Sequence, residues 1–342
     1  MNFSLEILDS FVDAVTNNRS YRDLASCLFA SHGFRQRSRQ HIFATIDLKF
    51  SSPDNPEERQ GSYDRDFKRL SLLRQLISNK HTNSEDNSIL PFIRSLRIRI
   101  YNLTYFHPFE DNNDLSHILL RLADSPKLDT LSIHNVDVAM RSLRWHYLRT
   151  TFRKDLRSVS RVPSLKMLSV VDIWEIPETF FRGTFITQLE LVGLWSRRPS
   201  GGAGLVTEYE DENGWTGNLP SPRLISLSLD ANSVPSAMEI IPRQNLKELR
   251  LFIESSSYSC SKLQEFLQWS HESLSSLTLD FTGEWENLNI ARRFAEHVSR
   301  FMFELPTRNS SSGFQPREAH QSLNTIAQFL EISCERTGST RP

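Results

Sequence analysis

The chain is poor in the features that mark a specialised scaffold. Its 3 cysteines, Cys27, Cys260 and Cys334, are odd in number and far apart, which suits neither a disulfide framework nor a cysteine-based zinc site. With 12 glycines and 15 prolines in 342 residues, collagen-like and proline-rich repeats are excluded. No sign of charge dominates. The 40 Lys and Arg are balanced by 41 Asp and Glu for a formal net charge of −1, so the chain is neither a uniformly basic nucleic-acid binder nor an acidic solvating polymer. No apolar run approaches the roughly 20 residues of a membrane span, and the stretch FIRSLRIRI at 92–100 is broken by Arg94, Arg97 and Arg99.

The opening MNFSLEILDSFVDAV has no basic segment and carries Glu6, Asp9 and Asp13, so it does not read as a secretory signal. The expectation is a cytoplasmic or nuclear protein with no membrane partner. Signatures of catalysis are missing too: there is no HExxH, GxSxG or GxGxxG, and no Cys–His metal spacing. The GGAG at 201–204 is not followed by Lys-Ser/Thr and is not a phosphate loop. Acidic pairs such as Glu284 and Glu286 read as surface charge. No enzyme, metal or cofactor is expected.

What the chain does have is a repeat. A motif of the form L-x-x-L-x-L recurs at Leu128/Leu131/Ile133, Leu165/Leu168/Val170, Ile186/Leu189/Leu191, Leu224/Leu227/Leu229, Leu246/Leu249/Leu251 and Leu274/Leu277/Leu279, with a weaker copy ending Leu96, Ile98, Ile100. The last two positions differ by two, the period of a strand with one buried face. From Leu96 onward, successive copies are 35, 37, 21, 38, 22 and 28 residues apart. The short steps fit leucine-rich repeats of about 20–29 residues, and the long ones imply insertions or longer helices.

Between the copies, apolar residues follow the helical period. Phe67, Leu70, Leu73 and Ile77 make one stripe. Leu115, Ile118, Leu119 and Leu122 make another, with Asp114 as N-cap. Leu148, Phe152, Leu156 and Val159 make a third, and Leu263, Phe266 and Leu267 a fourth. The predicted fold is α/β: an irregular solenoid over 46–285, parallel strands on one side and helices on the other. An ordinary α/β domain with leucine-rich strands is the alternative. The Asn or Cys ladder of regular horseshoes is absent apart from Asn232, hence the irregularity. Residues 51–62, 79–88 and 196–222 read as excursions, and 286–342 as capping helices and a tail.

Residues 1–45 read as a helical module. Ile7, Leu8, Phe11, Val12 and Val15 share one side of a first helix over 4–16, and two short helices at 20–31 and 34–43 are separated at Gly33. About 40 residues are too few for a self-sufficient core, so the module leans on the repeats or offers apolar surface to a partner.

The segments FSLEIL (3–8) and DLASCLFASHGFRQRSRQHIFATIDL (23–48) resemble the F-box and first strand of the leucine-rich F-box proteins abundant in mushroom-forming fungi. Glu6, Ile7 and Leu8 match that family's first element. Leu24, Ser26, Cys27 and Phe29 fit its second, and Arg39, His41, Ile42, Phe43, Ile46 and Leu48 its third. Phe3 and Ser4 stand where Leu-Pro is usual, and Phe34 where the family has Trp. The resemblance implies a substrate receptor of a Skp–cullin–F-box ubiquitin ligase. It makes Phe3, Ser4, Ile7, Leu8, Leu24, Cys27 and Phe34 the contacts to a Skp-type adaptor, and through it to a cullin. On the residues alone, these helices equally serve as a cap.

The strand positions between the leucines form the open sheet face. Its candidate protein-binding strip is Arg97, Arg99, His134, Val171, Glu190, Val192, Asp230, Arg250 and Phe252, with an apolar centre and polar ends as in protein interfaces; a partly covered sheet is the other reading. Residues 141–161 hold seven Lys and Arg against Asp155 alone, and Arg149, Arg153 and Arg157 recur every four residues with Trp145 a turn before. An RNA-associated scaffold is therefore a minor alternative, weighed against a solvated helix face. A repeat scaffold with no ligase coupling is the main one.

Overall fold

The computed structural model describes residues 10–15, 21–30, 32–51, 59–78, 88–136, 143–174, 176–193, 220–230, 246–254 and 274–282. Helical residues 10–15 (α1) precede α2 (Tyr21–Ala30) and α3 (His32–Ile42). Strand β1 (Thr45–Phe50) follows, then α4 (Arg59–Ser78), β2 (Ser95–Ile100), α5 (Leu103–Glu110), α6 (Asn113–Ala123) and β3 (Thr130–Asn135). Next come β4 (Leu143–Arg144), α7 (Thr150–Ser160), β5 (Met167–Val171), β6 (Ile173–Trp174), the single turn α8 (Glu178–Phe181) and β7 (Gln188–Val192). Strands β8 (Ser226–Asp230), β9 (Glu248–Glu254) and β10 (Ser276–Thr282) complete the described chain.

The fold is α/β. Eight strands form one sheet in the order β1-β2-β3-β5-β7-β8-β9-β10, which is their order in the chain, and β4 and β6 form a separate two-stranded pair. Every pairing is parallel, and the register places motif leucine beside motif leucine: Leu96, Leu131, Leu168, Leu189, Leu227, Leu249 and Leu277 lie in one row across the sheet. A one-residue slip would turn that row to solvent.

One backbone device recurs at each strand entrance. The carbonyls of Ala44, Arg94, Asp129, Lys166, Thr187, Ile225 and Lys247 each accept two successive N–H groups from the next strand, at 2.7–3.1 Å. Hydroxyls reinforce it, with Ser164 Oγ donating to the Leu128 carbonyl at 2.8 Å and Ser275 Oγ to that of Lys247 at 3.0 Å.

The buried face joins the helices in a single core. Helices α4, α6 and α7 pack side by side in chain order, and their buried Leu70, Ile77, Leu115, Ile118, Leu119, Leu122, Phe152, Leu156 and Val159 meet the strand leucines. At the β1–β3 end, aromatic rings replace leucines. Phe50 packs on Phe106 and Phe109 at ring separations of 4.8 and 5.0 Å, Tyr63 stacks on Tyr105 at 4.3 Å, and Phe106 meets Phe152 edge-on at 5.0 Å. Two buried acidic groups at this end are paired. The Tyr105 hydroxyl donates to Asp66 at 3.1 Å. Buried Glu110 accepts from the Arg149 amide at 2.8 Å and contacts His107 Nδ1 at 2.5 Å, while burial pushes its pKa up.

Several local expectations need correction. Gly33 lies inside α3 and does not separate two helices; its second position in the helix tolerates a residue with no side chain to pack. The cap of α6 is Asn112, whose side chain accepts from the amides of Asp114 and Leu115, and Asp114 instead pairs with Arg74 at 2.6 Å. The excursion drawn over 51–62 ends earlier, because α4 starts at Arg59 and buries Ser62. Of 196–222, only 220–222 are described, and there the Pro220 carbonyl accepts from the Gly183 amide at 2.8 Å. The fourth helical stripe, Asn232 and the 286–342 segment lie outside the described residues.

Leu168 is fully buried and Val171, on the other face of the same strand, is half-buried. Leu168→Ala is expected to cost about 3–4 kcal/mol and Val171→Ala less than about 1.5 kcal/mol, read from urea unfolding midpoints. Equal costs would mean that the two sheet faces are buried alike.

Candidate binding face and N-terminal module

Alternation along each strand leaves three rows of side chains on the sheet face opposite the helices. In the middle row, register aligns Asp47, Arg97, Ser132, Ser169, Glu190, Ser228, Arg250 and Thr278. Beside it, Lys49, Arg99, His134, Val171 and Val192 form one run, and Phe252 lies farther along the same face, with positions 230 and 280 in register beside it. The nine strip residues therefore fall in two neighbouring rows of one sheet face.

The strip is not uniform. Arg97 is exposed. Arg99 is tied to Asp47 through both guanidinium Nε, at 3.0 Å, and Nη2, and the pair lifts the arginine's already high pKa. Val171, Val192 and Phe252 are half-buried, and the Arg250 guanidinium lies 5.0 Å over the Phe252 ring, a cation–π contact.

Ser132 and Ser169 belong to the same face but are buried. Their short side chains are recessed beneath larger neighbours and form a hydrogen-bonded chain with them. His134 Nε2 lies 2.7 Å from Ser132 Oγ and 3.2 Å from Ser169 Oγ, and Ser169 donates to Glu190 Oε2 at 2.5 Å. The recess fixes the imidazole through Nε2 and the carboxylate through one oxygen. Burial is the largest cause of a lowered His134 pKa. Glu190 acts to raise it, Arg97 and Arg99 to lower it, and Asp47 to raise it. Among the described residues, no group of three or more His, Cys, Asp or Glu side chains is placed to hold a metal ion, and no helix is long and apolar enough to cross a membrane.

In the N-terminal module Val12, Leu24 and Cys27 are buried, so two of the seven expected contacts, Leu24 and Cys27, face the module's interior. Phe34 is half-buried against Phe11, ring centroids 5.7 Å apart. Phe3, Ser4, Ile7 and Leu8 lie outside the described residues. Among the described residues, the large apolar side chains that turn outward are two that the resemblance did not single out as contacts, Phe11 at 54% and Phe29 at 87% exposure. An ion-paired hub secures α1 to α3: Asp13 accepts from Arg37 Nε and Nη2, both at 2.8 Å, and lies 2.7 Å from His41 Nε2. These partners hold its pKa down at about 2.

The basic 141–161 stretch is less suited to nucleic acid than its sequence implied. Trp145 is buried and packs on Phe180 at 4.8 Å, so it offers no face for base stacking. Arg149 is the N-cap of α7 and pairs with Asp111. Arg153 reaches Thr150 at 3.2 Å and Arg157 reaches Thr179 at 3.5 Å.

Compared with protein-family models, curated proteins and solved structures, the chain matches none.

Two outcomes follow from the titrating groups. A folded-state His134 pKa below 6.5 means that the unfolded chain binds the proton first, so stability falls as pH drops below that value. His117 is shifted in the same direction, by burial and by Arg74 and Arg121. His134→Gln should therefore flatten the pH 7 to 5 decline in melting temperature only in part, and an unchanged slope would remove His134 from it. The Asp13 contribution is present above the ordinary value of 3.8 and is lost as pH falls toward about 2. Because the hub is partly exposed, Asp13→Asn is expected to cost only about 0.5–1 kcal/mol, seen as faster amide exchange in α2 and α3 with the strands unaffected.

Proposed function

We propose that the chain is the substrate-recognition adaptor of a Skp–cullin–F-box ubiquitin ligase. The N-terminal helices dock on the Skp-type adaptor, and an irregular leucine-rich-repeat solenoid carries the substrate. The observation that carries this reading is the combination, in one chain, of the F-box-like 3–48 stretch with in-register parallel strands whose outer face carries exposed side chains such as Lys49, Arg97 and Arg250. The parallel order, the repeated strand-entrance carbonyl and the single-row leucines support the repeat half. A buried interior with outward Phe11 and Phe29 supports docking, since exposed aromatics at a helix surface are the usual anchors of a protein interface. A repeat scaffold without ligase coupling keeps the second half of the proposal and loses the first.

Co-purification with a Skp-type adaptor separates the two. Full-length protein should retain the adaptor, and deletion of residues 1–48 should abolish retention. Phe29→Ala removes a ring with little internal packing, so it should weaken adaptor binding by about tenfold while leaving the melting temperature unchanged. Absence of adaptor binding by the full-length chain would eliminate ligase coupling.

A further inference from the structure

The open sheet face has an electrostatic direction. On β1 to β3 it presents Lys49, Arg97, Arg99 and His134 with Asp47 as the acidic group. The Asp47 carboxylate is engaged by Arg99, with Lys49 at 3.8 Å. The exposed Arg97 guanidinium is left without an ion-pair partner among the described residues. The neighbouring imidazole is held in place through Nε2 by the serine pair. From β5 to β8 the same face carries no Lys or Arg: the positions are Met167, Ser169 and Val171, then Gln188, Glu190 and Val192, then Ser226, Ser228 and Asp230. Cationic character returns only at Arg250 on β9.

We propose that the β2–β3 corner, Arg97 beside His134, seats a carboxylate side chain of an acidic segment in the partner protein, and that Val171 and Val192 receive an apolar residue of the same segment. The proposal rests on the substrate-platform reading above and specifies its ligand. Charge complementarity selects the occupant. A free guanidinium beside an imidazole favours an anion, and a carboxylate can take two guanidinium hydrogen bonds. A nucleic acid would carry negative charge along its whole length and would meet Glu190 immediately after the corner. An acidic residue followed by an apolar one meets no such repulsion.

The spacing is set by the sheet. Counting roughly 4.8 Å per strand interval and about 3.3 Å per residue along the strands, Arg97 lies about 12 Å from Val171 and about 16 Å from Val192, about 14 Å on average. An extended segment at about 3.3 Å per residue covers this in about four residues. Arrival of a carboxylate would favour protonated His134, because the new anion offsets the two arginines that disfavour its charge.

The test uses full-length protein and fluorescein-labelled Ser-Glu-Ser-Thr-Ser-Leu-Ser, with matched peptides carrying Gln or Lys in place of Glu, read by anisotropy. The Glu peptide is expected to bind about tenfold more tightly than the Gln peptide, and the Lys peptide more weakly still. Arg97→Gln should remove the preference and Arg97→Glu should reverse it, both with unchanged melting temperatures. His134→Gln should remove any strengthening between pH 7.5 and 6. Equal binding of the three peptides, no measurable binding of the Glu peptide, or a preference that survives Arg97→Glu would each overturn the proposal. So would an oligouridine probe that outcompetes the Glu peptide in an Arg97-dependent way, which would assign the corner to nucleic acid. Adaptor co-purification on the same preparations keeps the two readings apart. Retained adaptor without a Glu preference defeats only the carboxylate seat, and a Glu preference without adaptor defeats only the ligase coupling.

Discussion

The structure depends on strand register. Each described strand buries its alternate side chains only because the neighbouring strand presents its own at the same height, and nothing within one rung could do this alone. The doubly bonded carbonyl at the strand entrance, repeated from Ala44 to Lys247, enforces that height by tying two consecutive amides to one oxygen. It does so from the backbone, so any residue can occupy the position: Ala, Arg, Asp, Lys, Thr and Ile all appear. Alignment of the strands therefore needs no ladder of side chains at a fixed position. Crossovers of very different length are then tolerated, since the register is set at the strand and not by the connection.

Much of this was legible from leucine spacing. Positions separated by two can bury one strand face and no other, so the Leu131/Ile133 and Leu168/Val170 pairs announced both the strand and its inward side. The stripes of α4, α6 and α7 were legible for the same reason, at helical period. Features set by tertiary contact were not. Helix α5 contains Pro108 and has no clean stripe because Tyr105, Phe106 and Phe109 are nearly surrounded by other rings. The β4–β6 pair is two residues per strand, below any periodic signal. Trp145 looked like an aromatic between arginines, and only the packing of Phe180 upon it shows which way it faces. In the N-terminal module, residue type identified apolar helices but not which apolar residues turn outward: Cys27 is buried and Phe29 is exposed.

The candidate face shows a similar limit. Reading alternate positions identified which residues share it, but not that serines in its middle row are buried. A small residue on an exposed face lies lower than its neighbours, and once His134, Val171 and Glu190 lean across it, its hydroxyl must be bonded inside the surface. Ser132 and Ser169 meet that requirement by holding the imidazole and the carboxylate, so they set the orientation of the groups a ligand would meet. The signal was present in the sequence as Ser–x–His on one strand and Ser on the next, but its meaning required the parallel register.

Net charge is the quantity that changes most in interpretation. A value of −1 describes a molecule whose charges are sorted, not diluted. Positive charge gathers on the candidate face at β1 and β2, on Lys49, Arg97 and Arg99, and the strands that follow present hydroxyl, imidazole, thioether, amide, carboxylate and valine side chains without a Lys or Arg until Arg250. At an ionic strength near 0.15 M, screening acts over about 8 Å, less than the roughly 14 Å from β2 to β7. A ligand charge at one end therefore responds to the local sign and hardly to the total. A near-neutral chain can thus discriminate between partners by charge order along a strip, a property that composition conceals and strand order reveals.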